Sequence, residues 1–200
     1  MALYPDSIKY QNPVTIQAEQ NVLISSFGDQ SREQRKLKTS WPTRNIRIDY
    51  KNISISDMNT LLKFQTARGF QYELFTFIYP IELETQEYDG EYIGTGDGST
   101  ATFNCPFKEA SDYTIYVNNI EQTLTTDYAV SGSFGLDGVD TLTFETASIP
   151  ASGEVIKADF TGRLAVRCRY NKPMQVAYRS WGNVSLCSAS VELKGRHFDE

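Results

Sequence analysis

Apolar and polar residues alternate most clearly over residues 44–50. Ile46, Ile48 and Tyr50 are separated there by Arg47 and Asp49. A period of two is typical of a strand with one buried face. A second strand, strongly aromatic, is predicted over residues 71–79. The chain between them has a different spacing.

Helical spacing follows the first strand and predicts one short α-helix over about residues 57–68. Its apolar face would carry Met58, Leu61, Leu62 and Phe64. Ser54 or Ser56 can cap the first turn, where Asp57 favours the positive end of the helix dipole. Gly69 follows as a stop signal. No other convincing helix is found, and a lone amphipathic helix needs a sheet to cover it, which predicts a mainly β fold.

Short strands separated by turn residues are predicted over residues 91–162. Residues 113–117 alternate cleanly, and Asn118–Asn119 can adopt the positive φ angles of a two-residue hairpin. Further strands are predicted at 120–124, 127–130, 141–145 and 155–160. Their spacing is typical of a small β-sandwich.

Charge divides the chain at the same places. Residues 91–161 contain eleven acidic and two basic residues, a net of −9, whereas the remainder has a net of +3. The strands predicted over 163–193 share the basic character of residues 31–79; one places Leu164, Val166, Cys168 and Tyr170 on a single face. We therefore predict a discontinuous domain, residues 1–90 and 163–200, into which a β-sandwich domain of residues 91–162 is inserted.

A basic stretch precedes the first strand of this pattern. It combines cationic side chains with a tryptophan, and its residues are Arg32, Arg35, Lys36, Lys38, Trp41 and Arg44. A nucleic-acid patch would use such residues, but so would a solvated loop or a subunit contact. Glu33 interrupts the run and the whole chain carries a net charge of −6, which favours the last two.

Residues that could carry chemistry are sparse. The segment from Gly94 to Ser99 lacks the Lys-Ser/Thr of a phosphate-binding loop and leads into a strand, so we interpret it as a turn. His197 is the only histidine, and the three cysteines are widely spaced, which indicates buried thiols rather than a metal site. Glu82 and Glu84 fit a solvated strand face. We expect no enzyme activity, no cofactor and no metal.

Targeting signals are also lacking in the sequence. No apolar stretch approaches the roughly 20 residues of a membrane helix, and residues 1–20 do not resemble a signal peptide. We therefore expect a protein that is used without secretion or membrane insertion.

The segment 31–79 resembles the distal tail proteins of tailed phages, a family with relatives in gene transfer agents. The shared pattern is loose and extends over about 50 residues. The order of its elements is more specific than any one of them. The matching positions are Ser31, Glu33, Arg35, Trp41, Arg44, Leu61, Phe64, Arg68, Gly69, Phe75 and Phe77.

The segment 92–160 is similar to a β-module common in phage tail and fibre proteins. The similarity lies in a Gly-Asp-Gly turn, the hairpin around Asn119 and the strand that precedes Pro150. The chain departs from the module by Asn119 in place of glycine and by a longer loop over residues 131–140. The strands after residue 163 are similar to the last strands of the distal tail family.

These resemblances imply a virion structural protein of the tail tip. Such a protein would form an oligomeric ring, a hexamer, that joins the tail tube protein to the hub or baseplate protein, with DNA passing through its lumen as cargo. They also imply a tail-tube-like β-sandwich or split-barrel domain bearing the helix, and an inserted sandwich that faces outward, within reach of the host surface. The expected location is the virion tail, assembled in the host cytoplasm, and the basic stretch becomes a candidate assembly contact.

A receptor- or carbohydrate-binding module of the tail tip is the alternative. Stacking surfaces for a sugar would come from Tyr92, Tyr113, Tyr116 and Tyr128. Alternate tyrosines on strands more often pack into the core, and we favour that role for them.

Overall fold

A computed structural model describes residues 2–5, 7–8, 14–19, 22–26, 33–37, 42–79, 86–132, 135, 138–181 and 184–196. The strands and the helix in these ranges are β1 (Ala2–Leu3), β2 (Thr15–Glu19), β3 (Val22–Ser26), β4 (Glu33–Leu37), β5 (Thr43–Ser54), α1 (Ile55–Ala67), β6 (Phe75–Tyr79), β7 (Gln86–Thr95), β8 (Thr102–Asn104), β9 (Phe107–Val117), β10 (Ile120–Glu121), β11 (Tyr128–Ser131), β12 (Thr141–Phe144), β13 (Val155–Tyr170), β14 (Gln175–Trp181) and β15 (Val184–Arg196).

The fold is mainly β, with one α-helix among the described residues, as the sequence predicts. The chain divides into two compact units. Unit 1 contains Met1–Ile8, Glu73–Cys168 and Arg196–Glu200, and unit 2 contains Lys9–Tyr72 and Arg169–Gly195. The sequence-predicted boundaries at 90/91 and 162/163 fall inside β7 and β13. The division into a tube-like domain and an inserted sandwich stays a prediction.

Unit 2 is built on an antiparallel sheet in the order β2-β5-β15-β14. Its buried face is formed by apolar pairs between β5 and β15, such as Ile46 with Leu193 and Ile48 with Val191. The alternation over residues 44–50 is thus confirmed as a strand with one buried face.

A β-bulge extends β5 beyond the predicted end at Tyr50. Tyr50 pairs with Ala189 and Ile53 pairs with Cys187, so Lys51 and Asn52 together oppose one residue of β15. Asn52 has a φ of 55°, a conformation that asparagine tolerates better than most residues. The extra residue brings Ile53 onto the buried face that Asn52 would otherwise occupy.

Helix α1 begins two residues before its predicted start, because Ser54 provides the cap. The Asp57 N–H donates to Ser54 Oγ at 3.0 Å. Met58 and Leu61 are fully buried, whereas Leu62 and Phe64 are only half-buried. Gln65 joins the buried set, which the apolar pattern did not predict.

A Schellman motif ends the helix and delays the next strand. The Phe70 N–H donates to the Gln65 carbonyl and the Gly69 N–H to the Thr66 carbonyl, each at 3.0 Å. The backbone then continues as a turn through Glu73, so β6 begins at Phe75 and the predicted start at residue 71 is wrong. Of the aromatic run 70–79, Phe75 and Phe77 are buried in β6, while Tyr72 is exposed.

Unit 1 is organised by β13. This strand is continuous over 16 residues, where the sequence suggested one strand ending at Phe160 and another beginning near Arg163. Its first part lies between β7 and β9, and residues 164–168 pair with β6, which also pairs with β1. The predicted buried face holds, since Leu164, Val166 and Cys168 are all buried.

Gly162 lies where the sequence pattern predicts a break in β13. Glycine in a strand pattern suggests a break, but here it allows close approach to a bulge in β9. A Cβ atom at residue 162 would lie 3.0 Å from Ala110 Cα. In the bulge, Glu109 has a φ of 56°, and its Oε2 lies 3.5 Å from Nη1 of the buried Arg163.

A second, three-stranded sheet of unit 1 runs in the order β11-β12-β8. Its aromatic side chains form a small core: Phe103 meets Phe144 edge to face, with ring centroids 6.0 Å apart. Tyr113 of β9 reaches this core through Tyr128, at 6.5 Å between centroids. The two sheets therefore share apolar packing, as in a sandwich.

The predicted hairpin at Asn118–Asn119 is confirmed. These residues have φ angles of 50° and 64°, and they join β9 to β10, where Ile120 pairs with Val117. The Lys157 ammonium donates to Asn119 Oδ1 at 3.1 Å. Asparagine therefore serves at the position where the resembling module has glycine.

The contribution of Leu61 to the stability of the unit 2 core can be tested by truncating its side chain. We expect Leu61→Ala to lower the free energy of unfolding by about 2–5 kcal/mol, because a fully buried leucine leaves a cavity. Urea unfolding followed by circular dichroism measures the difference. Lys63→Ala, on an exposed position of the same helix, should change it by less than about 0.5 kcal/mol. Equal losses for the two variants would contradict this packing.

Candidate assembly surface

The described part of the basic stretch forms a strand rather than the basic turn or loop that the sequence suggested. Glu33–Leu37 is β4, which pairs with β3 in a two-stranded sheet of its own. Arg35 lies opposite Ile24 and Lys36 opposite Leu23, and both cationic side chains are exposed. We call β3 and β4 the basic ribbon.

The other candidate contact residues do not join this ribbon in the described structure. Arg44 lies in β5, opposite Ala18 of β2 and Gly195 of β15, and is half-buried. Arg32, Lys38 and Trp41 lie outside the described residues. Of the six candidates, the structure thus brings together Arg35 and Lys36.

The basic ribbon carries apolar residues as well as charge. Its sequence includes Leu23, Ile24 and Leu37, and the side chain of Val22 is 38% exposed. A two-stranded ribbon alone is marginally stable in water, so it gains stability from any surface that covers it. The ribbon is therefore a candidate docking element.

Two strands of the unit 2 sheet, β2 and β14, have a single strand partner each among the described residues. Among the described residues, β2 pairs only with β5 and β14 only with β15. Apart from the half-buried Ile16 and Val176, the described side chains of both strands are exposed, and Tyr178 is 65% exposed. Sequence reasoning placed strands here, but the period of two alone does not reveal which strands lie at an edge.

The glycine-rich segment after β7 is a turn, as interpreted from the sequence. Asp97 Oδ1 accepts the backbone N–H groups of Ser99 and Thr100 at 2.7 and 2.6 Å, and Oδ2 accepts the Thr100 hydroxyl. These bonds hold the pKa of the Asp97 carboxyl well below its usual range. Gly96 is required by packing, since a Cβ there would lie 2.5 Å from the Ala151 carbonyl oxygen.

The tyrosines considered as sugar-stacking surfaces divide into two groups. Tyr92 and Tyr128 are buried, which is the packing role favoured for them above. Tyr113 and Tyr116 are half-buried and keep part of each ring accessible. Of these four tyrosines, only Tyr113 and Tyr116 could therefore stack against a sugar.

The residues considered for metal binding from the sequence are not brought together within the described part of the chain. Cys105, Cys168 and Cys187 are buried thiols that form no disulfide, and burial raises the pKa of Cys105, with a further contribution from Asp140. No cluster of three or more metal-ligating side chains occurs there. Glu82, Glu84 and His197 lie outside it. None of its helices is long and apolar enough to cross a membrane.

Comparison with models of known protein families finds no match, and comparison with curated proteins finds none either. The likeness to distal tail proteins therefore rests on the residue patterns of segments 31–79 and 92–160. Membership of that family stays a prediction.

The Asp97 turn gives a pH-dependent test. A carboxyl whose pKa is lowered on folding contributes stability above its unfolded value of about 3.9, and that contribution is lost as the pH falls through the folded value. We expect Asp97→Asn to lower the thermal midpoint at pH 7, and the difference from wild type to shrink below about pH 4.

Thermal unfolding between acid and neutral pH measures this difference. Glu145→Gln is the matched control, because the exposed Glu145 caps no backbone group in the following turn. If the difference in thermal midpoint between Asp97→Asn and wild type stays constant with pH, the ionised Asp97 carboxylate does not stabilise the turn.

Proposed function

We propose that this protein is a structural subunit of the phage tail tip, a distal-tail-like protein that forms a closed ring between the tail tube and the hub or baseplate. Support comes from the sequence patterns of segments 31–79 and 92–160. Further support comes from the architecture of unit 2. In this role the protein works by assembly and makes or breaks no covalent bond.

The observation that carries the proposal is the pair of open edges in the sheet β2-β5-β15-β14. Exposed edge strands have unpaired backbone donors and acceptors, which soluble monomers usually cover or protect. Two edges of one sheet can pair head to tail between copies, and repetition of such a heterologous contact closes a ring. In this ring β14 of one subunit adds to β2 of the next.

The side chains of the two edges suit such a contact. Glu19 of β2 and Arg179 of β14 are exposed and opposite in charge. Tyr178 supplies apolar area and a hydroxyl, a combination common in protein interfaces. Sixfold closure is the expectation from the family resemblance.

Native mass spectrometry and electron microscopy of the purified chain test the ring directly. We expect a closed oligomer, a hexamer, in equilibrium with subunits. Electron microscopy of virions with a labelled antibody should place the protein at the tail tip. A chain that stays monomeric at all concentrations and is absent from virion tails would overturn the proposal.

A charge placed on the β14 edge should prevent assembly. We expect Tyr178→Lys to shift the oligomer toward monomer, because an edge lysine disfavours pairing between strands. The thermal midpoint of the monomer should stay close to wild type, since Tyr178 is already exposed. Sedimentation velocity measures the oligomer fraction.

Tyr72→Lys provides the matched control. Tyr72 also belongs to unit 2 and is 87% exposed, but it lies in the turn after α1 and not on an edge strand. This variant should assemble like wild type. Equal loss of assembly in the two variants would remove the support that β14 gives to the ring.

A further inference from the structure

Unit 1 contains an open groove with an unusual concentration of negative charge. It lies across β7, β9 and β13 and has a volume of about 180 Å³. We call it the acidic groove; its carboxylates are Glu87, Asp89, Asp112 and Asp159. Tyr88 and Tyr113 line it as half-buried aromatic side chains.

The charge of this groove is not balanced by the described residues. Glu87, Asp89 and Asp112 form no ion pair there, and Asp159 Oδ1 accepts the Gly90 N–H. The cationic residues of neighbouring strands are engaged elsewhere: Lys108 and Arg163 with Glu109, and Lys157 with Asn119.

Carboxylates on adjacent strands repel one another. A cationic partner from outside unit 1 would relieve that repulsion, because opposite charges a few ångströms apart attract even at a solvated surface. The groove therefore has the electrostatics of a docking surface for a basic segment.

The same chain contains such a segment. In the basic ribbon Arg35 and Lys36 are exposed and adjacent, and Lys36 forms no ion pair with a described residue. A two-stranded sheet is marginally stable alone, so the ribbon would also gain stability from a surface that covers it. The tyrosine rings of the groove offer apolar contact and favourable positions for cations.

We propose that, in the ring, the basic ribbon of one subunit docks in the acidic groove of a neighbouring copy. This proposal rests on the proposed function and names a second contact of the same assembly, separate from the β14–β2 edges. Complementary charge within one sequence favours a second copy as the occupant. Such a contact also restricts which subunits can meet and in which register, since like-charged surfaces would face each other in a wrong arrangement.

Charge reversal tests the contact in the full-length chain. The groove variant carries Asp89→Lys and Asp112→Lys, and the ribbon variant carries Arg35→Glu and Lys36→Glu. We expect each variant alone to need an about tenfold or higher subunit concentration for half-assembly at about 0.15 M salt. All four positions have exposed side chains, so the thermal midpoint of the monomer should change little.

An equimolar mixture of the two variants gives the sharpest result. In the mixture the unchanged basic ribbon of the groove variant meets the acidic groove of the ribbon variant, and the reversed ribbon meets a groove whose two new lysines offset its two remaining carboxylates. Only contacts between different variants then escape repulsion between like charges, so we expect rings in which the two variants alternate. Native mass spectrometry reads this from the masses, because equal numbers of each variant must be present. Glu145→Lys and Lys63→Glu, on exposed positions outside both surfaces, are matched charge controls and should assemble like wild type.

The outcomes separate this contact from the ring itself. If wild type forms rings and the reversed variants assemble equally well, the contact is overturned while the ring stands. If the variants fail and their mixture fails too, the two surfaces do not meet between copies, and the contact is overturned. If assembly is restored only in a chain that carries all four substitutions, and not in the mixture, the ribbon contacts the groove of its own subunit. That result would contradict the proposal.

Two further results would also decide the matter. In the first, wild type binds calcium, the groove variant (Asp89→Lys with Asp112→Lys) does not, and the mixture shows no rescue of assembly. The groove would then be a cation site, and the proposal would be overturned. A wild-type chain that never forms a ring would overturn both the proposed function and this contact.

Discussion

Within unit 1, strand β13 must satisfy its backbone hydrogen-bonding groups with three different neighbours, and the unit depends on this. Buried N–H and C=O groups are rarely left unpaired. The first part of the strand meets that demand through β7 and β9, and residues 164–168 through β6. The register shifts of β13 against β7 and β9 reconcile the pairings, and Gly162 leaves room for the bulge that contains Glu109. The buried Arg163 is tolerated because that bulge supplies a carboxylate.

Local pattern was enough to predict the elements whose signals are local. The alternation of residues 44–50, the single helix with its Ser54 cap and the asparagine hairpin at 118–119 all follow from spacing and turn chemistry. The continuity of β13 did not follow. A glycine within a strand pattern predicts that the strand ends there. The close approach of Ala110, a residue distant in sequence, explains why the strand continues through Gly162.

The surfaces proposed for assembly were only partly accessible to sequence reasoning. Arg35 and Lys36 stood out because charge is visible in a sequence. The negative charge over residues 91–161 includes Asp112 and Asp159 but not Glu87, and the acidic groove exists only because pairing on three strands brings these three carboxylates together. Open edges depend on which strands lack a second neighbour, a property of topology rather than of composition.

The pairing of β5 with β15 has a consequence for the order of folding. Ile46 lies opposite Leu193, so the central pair of the unit 2 sheet joins residues that are far apart in the sequence. Closing so long a loop carries an entropic cost, and folds dominated by distant contacts form slowly. During synthesis on the ribosome, β5 can be complete well before its partner is available. Because β14 joins this sheet only through β15, a subunit has both edges that the proposed ring requires only after that pairing, late in its own folding.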